Sequence, residues 1–85
     1  MANKRNLKKA LHNMIFDIVD ECYSVQLFEP EKESQTEQLI DEAIVFLDTT
    51  IHSIYKAEKK ADFKPILTDI HEKSRYFTEQ LNSLN

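Results

Sequence analysis

The sequence predicts an all-α fold, an antiparallel up-down-up three-helix bundle, and three observations support this prediction. The 85 residues include no glycine and only two prolines, which excludes the tight Asn-Gly turns of β-hairpins. Apolar residues recur at the 3.6-residue spacing of a helix in three separate segments. Two short connectors join these segments, and short connectors make successive helices antiparallel. We expect one domain, 1–85, with helices near residues 4–28, 34–61 and 65–83.

The first helix is apolar over more of its surface than one neighbouring helix requires. Its core stripe consists of Leu7, Leu11, Met14, Ile15, Ile18, Cys22 and Val25. A second apolar row lies on the adjoining side and consists of His12, Phe16, Val19, Tyr23 and Leu27. The two rows together span roughly 200° of the helix, whereas a surface helix usually buries roughly 100°. We therefore expect this helix to have neighbours on two sides.

The second helix follows an acidic connector, residues 29–33, in which Pro30 disfavours helix at Glu29. Residues 34–37, Ser-Gln-Thr-Glu, match a capping box, in which a serine hydroxyl and a glutamate carboxylate each satisfy a backbone N–H group. We expect the helix to begin there, with Ser34 as its cap. The apolar positions of this helix are Leu39, Ile40, Ala43, Ile44, Leu47, Ile51, Ile54 and Tyr55, with Thr50, Ala57 and Ala61 at the fringe.

The third helix is predicted to begin near Pro65, since this proline either ends the second helix or opens the third. Asp62 is the expected N-cap of the third helix. Tyr76 is expected to point away from the core. The residues expected to face inward are Ile66, Leu67, Ile70, Phe77, Leu81 and Leu84, with Phe63 packing just before the helix.

Composition limits the classes of protein to which this chain can belong. The single cysteine excludes an intramolecular disulfide, and nothing in the sequence marks an oxidising compartment. No apolar run approaches the roughly 20 residues needed to span a bilayer. Acidic residues from Asp17 onward interrupt the segment after the basic start, so we do not interpret it as a signal peptide. We expect a cytoplasmic protein with no membrane span.

The predicted topology concentrates positive charge at one end of the bundle. This basic patch consists of Lys4, Arg5, Lys8, Lys9, Lys56, Lys59, Lys60 and Lys64. Eight basic residues against Glu58 and Asp62 give that end a charge of +6, and the remaining residues carry −10. The patch could hold an acidic protein segment, RNA or an anionic membrane. The alternative, which we favour, is a solvated end, because the net charge of −4 and the absence of a base-reading helix argue against nucleic acid.

Residues with catalytic or metal-binding chemistry are few, and their spacing does not form a known motif. Cys22 could be a nucleophile, but it lies within the apolar stripe and is predicted to be a core residue. Asp48 and His52 lie one helical turn apart, yet two ligands are too few for a zinc site. His71 begins a sequence similar to a zinc-protease motif, which fails because Arg75 replaces the second histidine. We predict no catalytic, metal or cofactor-binding residues and no enzymatic activity.

The N-terminal quarter of the chain carries a resemblance. The opening residues 1–10, Met-Ala-Asn-Lys-Arg-Asn-Leu-Lys-Lys-Ala, are followed by a helix that contains Asp20, Glu21 and Cys22. This stretch resembles a group of short bacterial all-helical proteins of unknown function. The resemblance implies a small helical bundle and transfers no catalytic or binding residues.

The functional prediction is a non-catalytic protein–protein interaction or assembly module. We expect a symmetric homodimer whose interface centres on the second row of the first helix, because a small bundle gains stability by burying a further apolar face. In the alternative packing, Phe16 and Tyr23 cover the groove between the second and third helices. The alternative function is a small nucleic-acid-associated regulator that uses the basic patch.

Overall fold

The computed structural model describes residues 4–84 and confirms an all-α three-helix bundle. Its helices are α1 (Lys4–Phe28), α2 (Glu33–Lys56) and α3 (Lys60–Leu84), and a short 3-10 helix, Pro30–Lys32, joins α1 to α2. No strand occurs among the described residues. The bundle is elongated and measures 46 × 17 × 16 Å.

The predicted stripe of α1 forms the centre of the core. Leu11, Ile15 and Cys22 are fully buried, and Ile18 and Val25 are nearly so. All of these except Val25 belong to one core cluster with the apolar stripe of α2 and with α3, where Phe77 is fully buried. The end of α1 at Phe28 agrees with the prediction because its apolar period continues without interruption up to the connector that contains Pro30.

The connector between α1 and α2 differs from the predicted capping box. α2 begins at Glu33, so Ser34 lies inside the helix and caps nothing. The preceding 3-10 turn supplies a carbonyl acceptor instead, since the backbone N–H of Glu33 donates to Pro30 O. A helix whose first N–H groups already have acceptors needs no side-chain cap.

Thr36, the third residue of the predicted capping box, takes part in the contact between α1 and α2. Thr36 is fully buried, and its hydroxyl donates to the carbonyls of Lys32 and Glu33 at 3.1 and 3.0 Å. Gln26 Nε2 on α1 donates to the same hydroxyl at 2.8 Å and to Glu37 Oε1 at 3.1 Å. These polar residues therefore connect α1 to α2 close to the connector.

The turn between α2 and α3 lies about five residues earlier than predicted, although its length of three residues is the same. α2 ends at Lys56 rather than near residue 61, and α3 begins at Lys60 rather than near residue 65. Asp62 lies in the first turn of α3, where its Oδ2 accepts hydrogen bonds from the backbone N–H groups of Glu58 and Lys59, both at 3.0 Å. These two bonds lower the pKa of the Asp62 carboxyl group. Asp62 therefore closes the turn from within α3.

Pro65 lies inside α3 and does not mark its start. Proline leaves one carbonyl of the preceding turn without its helical donor, a loss that is smallest near a helix start. Phe63 and Ile66 on either side of Pro65 are buried in the core. Their burial holds this segment against the bundle in helical form.

Two residues of α3 lie differently from the prediction. Tyr76 is half-buried against the core, with its ring centroid 5.3 Å from that of Phe77, and its hydroxyl donates to both carboxylate oxygens of Glu42 at 3.1 Å. It therefore faces α2 and does not point away from the core. Leu67, which was expected to face inward, is exposed.

Contacts at both ends establish the up-down-up topology. Lys4 Nζ at the start of α1 donates to the backbone carbonyl of Tyr55 near the end of α2, at 3.1 Å. At the opposite end, Lys32 Nζ donates to the backbone carbonyl of Leu84. The start of α1 therefore lies beside the turn between α2 and α3, as predicted for an antiparallel bundle.

Candidate functional site

Two side-chain contacts define how α1 and α2 lie against each other. Lys8 Nζ donates to Tyr55 Oη at 3.1 Å, and Gln26 Nε2 donates to Glu37 Oε1 at 3.1 Å. The chain advances by 18 residues from Lys8 to Gln26 and returns by 18 from Tyr55 to Glu37. The two helices therefore keep one antiparallel register, in which Val19 lies level with Ile44.

The second apolar row of α1 lies mainly in solvent. Phe16 and Tyr23 are each 54% exposed, and Leu27 is 76% exposed. His12 and Val19 are half-buried, and the His12 ring lies 5.6 Å from the Phe16 ring. Because more than half of each aromatic side chain is accessible, Phe16 and Tyr23 do not fill a groove between α2 and α3. The row forms an open apolar surface.

The exposed row continues onto α2. Ile44 and Tyr55 are exposed and Ile51 is half-buried, although sequence analysis assigned all three to the core stripe. The three lie within about 40° of one another on α2, on the side where Tyr55 contacts Lys8. They lie at one edge of the apolar stripe of α2, and the sequence does not decide whether a neighbouring helix covers that edge.

These residues together make the α1–α2 apolar face. We define this face as Phe16, Val19, Tyr23, Ile44, Ile51 and Tyr55. α3 lies against another side of α2: the rings of Phe46 and Phe77 pack at 6.4 Å, and Phe46 is about 200° around the helix from Ile44. The third helix therefore leaves the α1–α2 apolar face uncovered.

The basic patch lies at the end of the bundle where α1 starts and α2 meets α3. Lys4 and Lys8 both contact Tyr55, and Lys8 Nζ lies 4.3 Å from the centroid of its ring, a cation–π contact. The opposite end of the bundle, where the connector joins α1 to α2, carries carboxylates, namely Glu29, Glu31, Glu33 and Glu37. The remaining members of the patch, Arg5, Lys9, Lys56, Lys59, Lys60 and Lys64, are exposed.

Cys22 has the properties of a core residue. It is fully buried on α1, and burial raises the pKa of its thiol to about 11, with smaller contributions from the charges of Glu21 and Glu37. The thiol is therefore protonated at neutral pH, and a protonated thiol is a poor nucleophile.

Metal-ligating side chains do not gather in the described part of the chain. Asp48 and His52 are both exposed on α2. Within residues 4–84, no group of three His, Cys, Asp or Glu side chains is placed to hold a metal ion.

Comparisons with known proteins add no further information about the site. No family model, curated protein or solved structure matches this chain. The resemblance of the N-terminal quarter to short bacterial helical proteins stays a prediction. Among residues 4–84, no helix combines the length and the apolar character that crossing a membrane requires.

Proposed function

We propose that this protein is a non-catalytic interaction module that forms a symmetric homodimer through its α1–α2 apolar face. The exposure of Phe16 and Tyr23 is the observation that supports this proposal most strongly. Large aromatic side chains contribute most of the binding energy at interfaces, and contiguous exposed apolar patches mark interaction sites. Tyr23 suits an interface because its ring is apolar while its hydroxyl tolerates water.

The dimensions of the bundle suit a second copy as the partner. Its long side measures 46 by 17 Å, an outline of about 780 Å². A stable interface of standard size covers roughly 800 Å² on each partner. One long side of the bundle is therefore comparable in area to one partner's share of a standard interface.

The charge distribution favours an antiparallel arrangement of the two copies. The ends of the bundle are separated by most of its 46 Å length, whereas charge interactions in physiological salt extend only about 8 Å. Each end therefore interacts mainly with the charges on the adjacent end of the partner. These local charges affect dimer formation more than the net charge of −4 does. With a two-fold axis near Val19, Lys9 of one copy lies level with Glu29 of the other, so the basic patch of each copy meets carboxylates.

The oligomeric state tests the proposal. We expect the wild-type protein to sediment as a dimer that dissociates on dilution, and the variant F16E/Y23K to be monomeric with an unchanged helical circular-dichroism spectrum. The matched control is V45E/L67K, which places the same charges on exposed apolar positions outside the α1–α2 apolar face. A wild type that is monomeric at every concentration contradicts the proposal, as does an F16E/Y23K variant that unfolds.

A second candidate function is a nucleic-acid-associated regulator that uses the basic patch. The clustering of eight lysine and arginine residues at one end favours this alternative. Phosphate contacts make binding steeply dependent on salt, whereas an apolar protein interface depends little on salt. Titration with a short RNA duplex at several salt concentrations distinguishes the two functions.

We also propose that the protein is cytoplasmic. Its one cysteine is a free, buried thiol, which is typical of proteins in reducing compartments. Cell fractionation with an antibody to the protein tests this location, and recovery in a secreted or membrane fraction contradicts it.

A further inference from the structure

A groove of about 480 Å³ lies between α2 and α3, on the side of α2 opposite the α1–α2 apolar face. Ligand pockets commonly have volumes of roughly 300–1,000 Å³ and combine an apolar lining with a few polar groups. Here Phe46 and Ile66 form the apolar lining, and the hydroxyl residues of α2 lie beside them. The groove exists because α2 presents small side chains, including Thr50 and Ser53, where large aliphatic side chains would fill the space.

Thr50 provides a polar group in this groove without a partner in the protein. It is 6% exposed and lines the groove. The hydroxyls of Thr36, Thr68 and Thr78 each donate to a carbonyl one turn earlier. Thr50 takes part in none of the side-chain hydrogen bonds found among residues 4–84. Every fully enclosed polar side-chain atom in this part of the chain has a hydrogen-bond partner, so the Thr50 oxygen is not fully enclosed. Its hydroxyl oxygen is therefore accessible, and because Thr50 lines the groove, that oxygen is available to an occupant there.

Lys73, which lines the groove, places its ammonium group against an aromatic ring that also lines it. Lys73 Nζ lies 4.9 Å from the centroid of the Tyr76 ring, which lines the groove. Two hydrogen bonds to Glu42 and the packing of its ring against Phe77 hold Tyr76 in place. Aromatic faces fixed in this way attract ammonium groups.

The charges at the rim favour a cation as well. Asp69 and Glu72 line the groove together with Lys73, so carboxylates outnumber ammonium groups two to one. Because Glu42 lies opposite Tyr76 in the antiparallel pair of helices, Asp69 lies level with Thr49 and beside Thr50. The lining residues of α2 from Phe46 to Ser53 extend over about 10 Å.

We propose that the groove between α2 and α3 binds a short aliphatic diamine. One ammonium group lies at Thr50 and Asp69, and the other replaces that of Lys73 at Glu72 and the Tyr76 ring. The methylene groups between them pack on Phe46. Each ammonium then has a carboxylate as its counter-ion, and the Thr50 hydroxyl acquires a donor.

NMR titration with 1,4-diaminobutane tests this site, with 1,4-butanediol as the uncharged compound of similar length. We expect saturable amide shifts in residues 49–53 and 69–76 with the diamine and none with the diol. The D69N/E72Q variant should bind on the order of tenfold more weakly, because charge-assisted hydrogen bonds are lost. K73M should bind the diamine as well as the wild type does, or better, since the Lys73 ammonium group no longer competes with the diamine.

Matched controls separate a specific site from general attraction to an acidic protein. D17N/E21Q removes two exposed carboxylates from α1 and should leave diamine binding unchanged. T50V should weaken binding, whereas T78V, outside the groove, should not. The proposal is overturned by shifts that do not saturate, by equal losses in D17N/E21Q and D69N/E72Q, or by a T50V variant that binds like the wild type. Circular dichroism confirms that each variant is folded, and if D69N/E72Q unfolds, the T50V and K73M titrations decide.

Discussion

Lys8 Nζ lies 3.1 Å from Tyr55 Oη and 4.3 Å from the centroid of the Tyr55 ring, so this lysine contacts both parts of one exposed side chain. The contact joins the start of α1 to the end of α2 at the basic patch. It also covers part of a ring that belongs to the α1–α2 apolar face. Lys8 therefore links the two surface features of this protein.

The first prediction concerns the contribution of the basic patch to stability. Changing Lys4, Arg5, Lys8 and Lys9 together to glutamine removes the contacts with Tyr55 but also removes positive charges from the start of a helix, where the macrodipole disfavours them. Exposed contacts of this kind contribute up to about 1 kcal/mol. We expect the free energy of unfolding in urea to change by less than about 1 kcal/mol. A larger loss would show that these residues stabilise the fold.

The second prediction concerns the orientation of the dimer. If the copies are antiparallel, K8E/K9E and E29K/E31K should each weaken self-association, because each variant brings like charges together. An equimolar mixture should form heterodimers, since one copy then carries only acidic and the other only basic side chains at these contacts. Native mass spectrometry of the mixture measures this. If the wild type is a dimer but the mixed variants do not prefer heterodimers, the antiparallel arrangement is excluded. The proposal that the protein dimerises is then unaffected.

The third prediction concerns Cys22, whose folded pKa of about 11 lies above 9.0, the ordinary value of a cysteine thiol, because the thiol is buried. Below pH 9 the thiol is protonated in both the folded and the unfolded states, and its contribution to stability does not change with pH. Between about pH 9 and 11 the unfolded state releases the proton and the folded state does not, so the free energy of unfolding should fall as pH rises.

Urea denaturation over this pH range tests the effect. The Cys22→Ala variant should lack this part of the pH dependence. A thiol reagent at pH 8 should modify wild-type Cys22 only after denaturant is added, and rapid labelling of the native protein would contradict the burial of the thiol.

The fourth prediction concerns Asp62 and the turn between α2 and α3. Asp62→Ala removes the acceptor of the Glu58 and Lys59 backbone N–H groups, so hydrogen exchange at those two amides should accelerate and the melting temperature should fall. Because the folded pKa of Asp62 is lowered, its stabilising contribution is present above pH 3.8, its ordinary value, and is lost as pH falls through the folded pKa. Glu79→Ala, at an exposed position of α3, is the control and should change neither quantity.

Local signals that compete with one another account for the errors in the helix bounds. The capping-box sequence at Ser34 did not set the start of α2, because the 3-10 turn at Pro30 already supplies an acceptor to the N–H group of Glu33, the first residue of the helix. Pro65 failed to mark the start of α3 because Asp62 closes the turn earlier and Phe63 is buried. In both places the sequence contains two competing signals for the start of a helix, and the backbone contacts and burial of the folded chain decide between them.

The sequence by itself determined that this chain forms three helices and which stripe of α1 enters the core. Periodic apolar residues such as Leu11, Ile15 and Cys22 specify a direction around the helix axis, and burial follows that direction. Only the tertiary structure decided that Phe16, Tyr23, Ile44 and Tyr55 stay in solvent. The physical reason is that an apolar period shows which side of a helix prefers to leave water, whereas the number and position of the neighbouring helices decide how much of that side is covered.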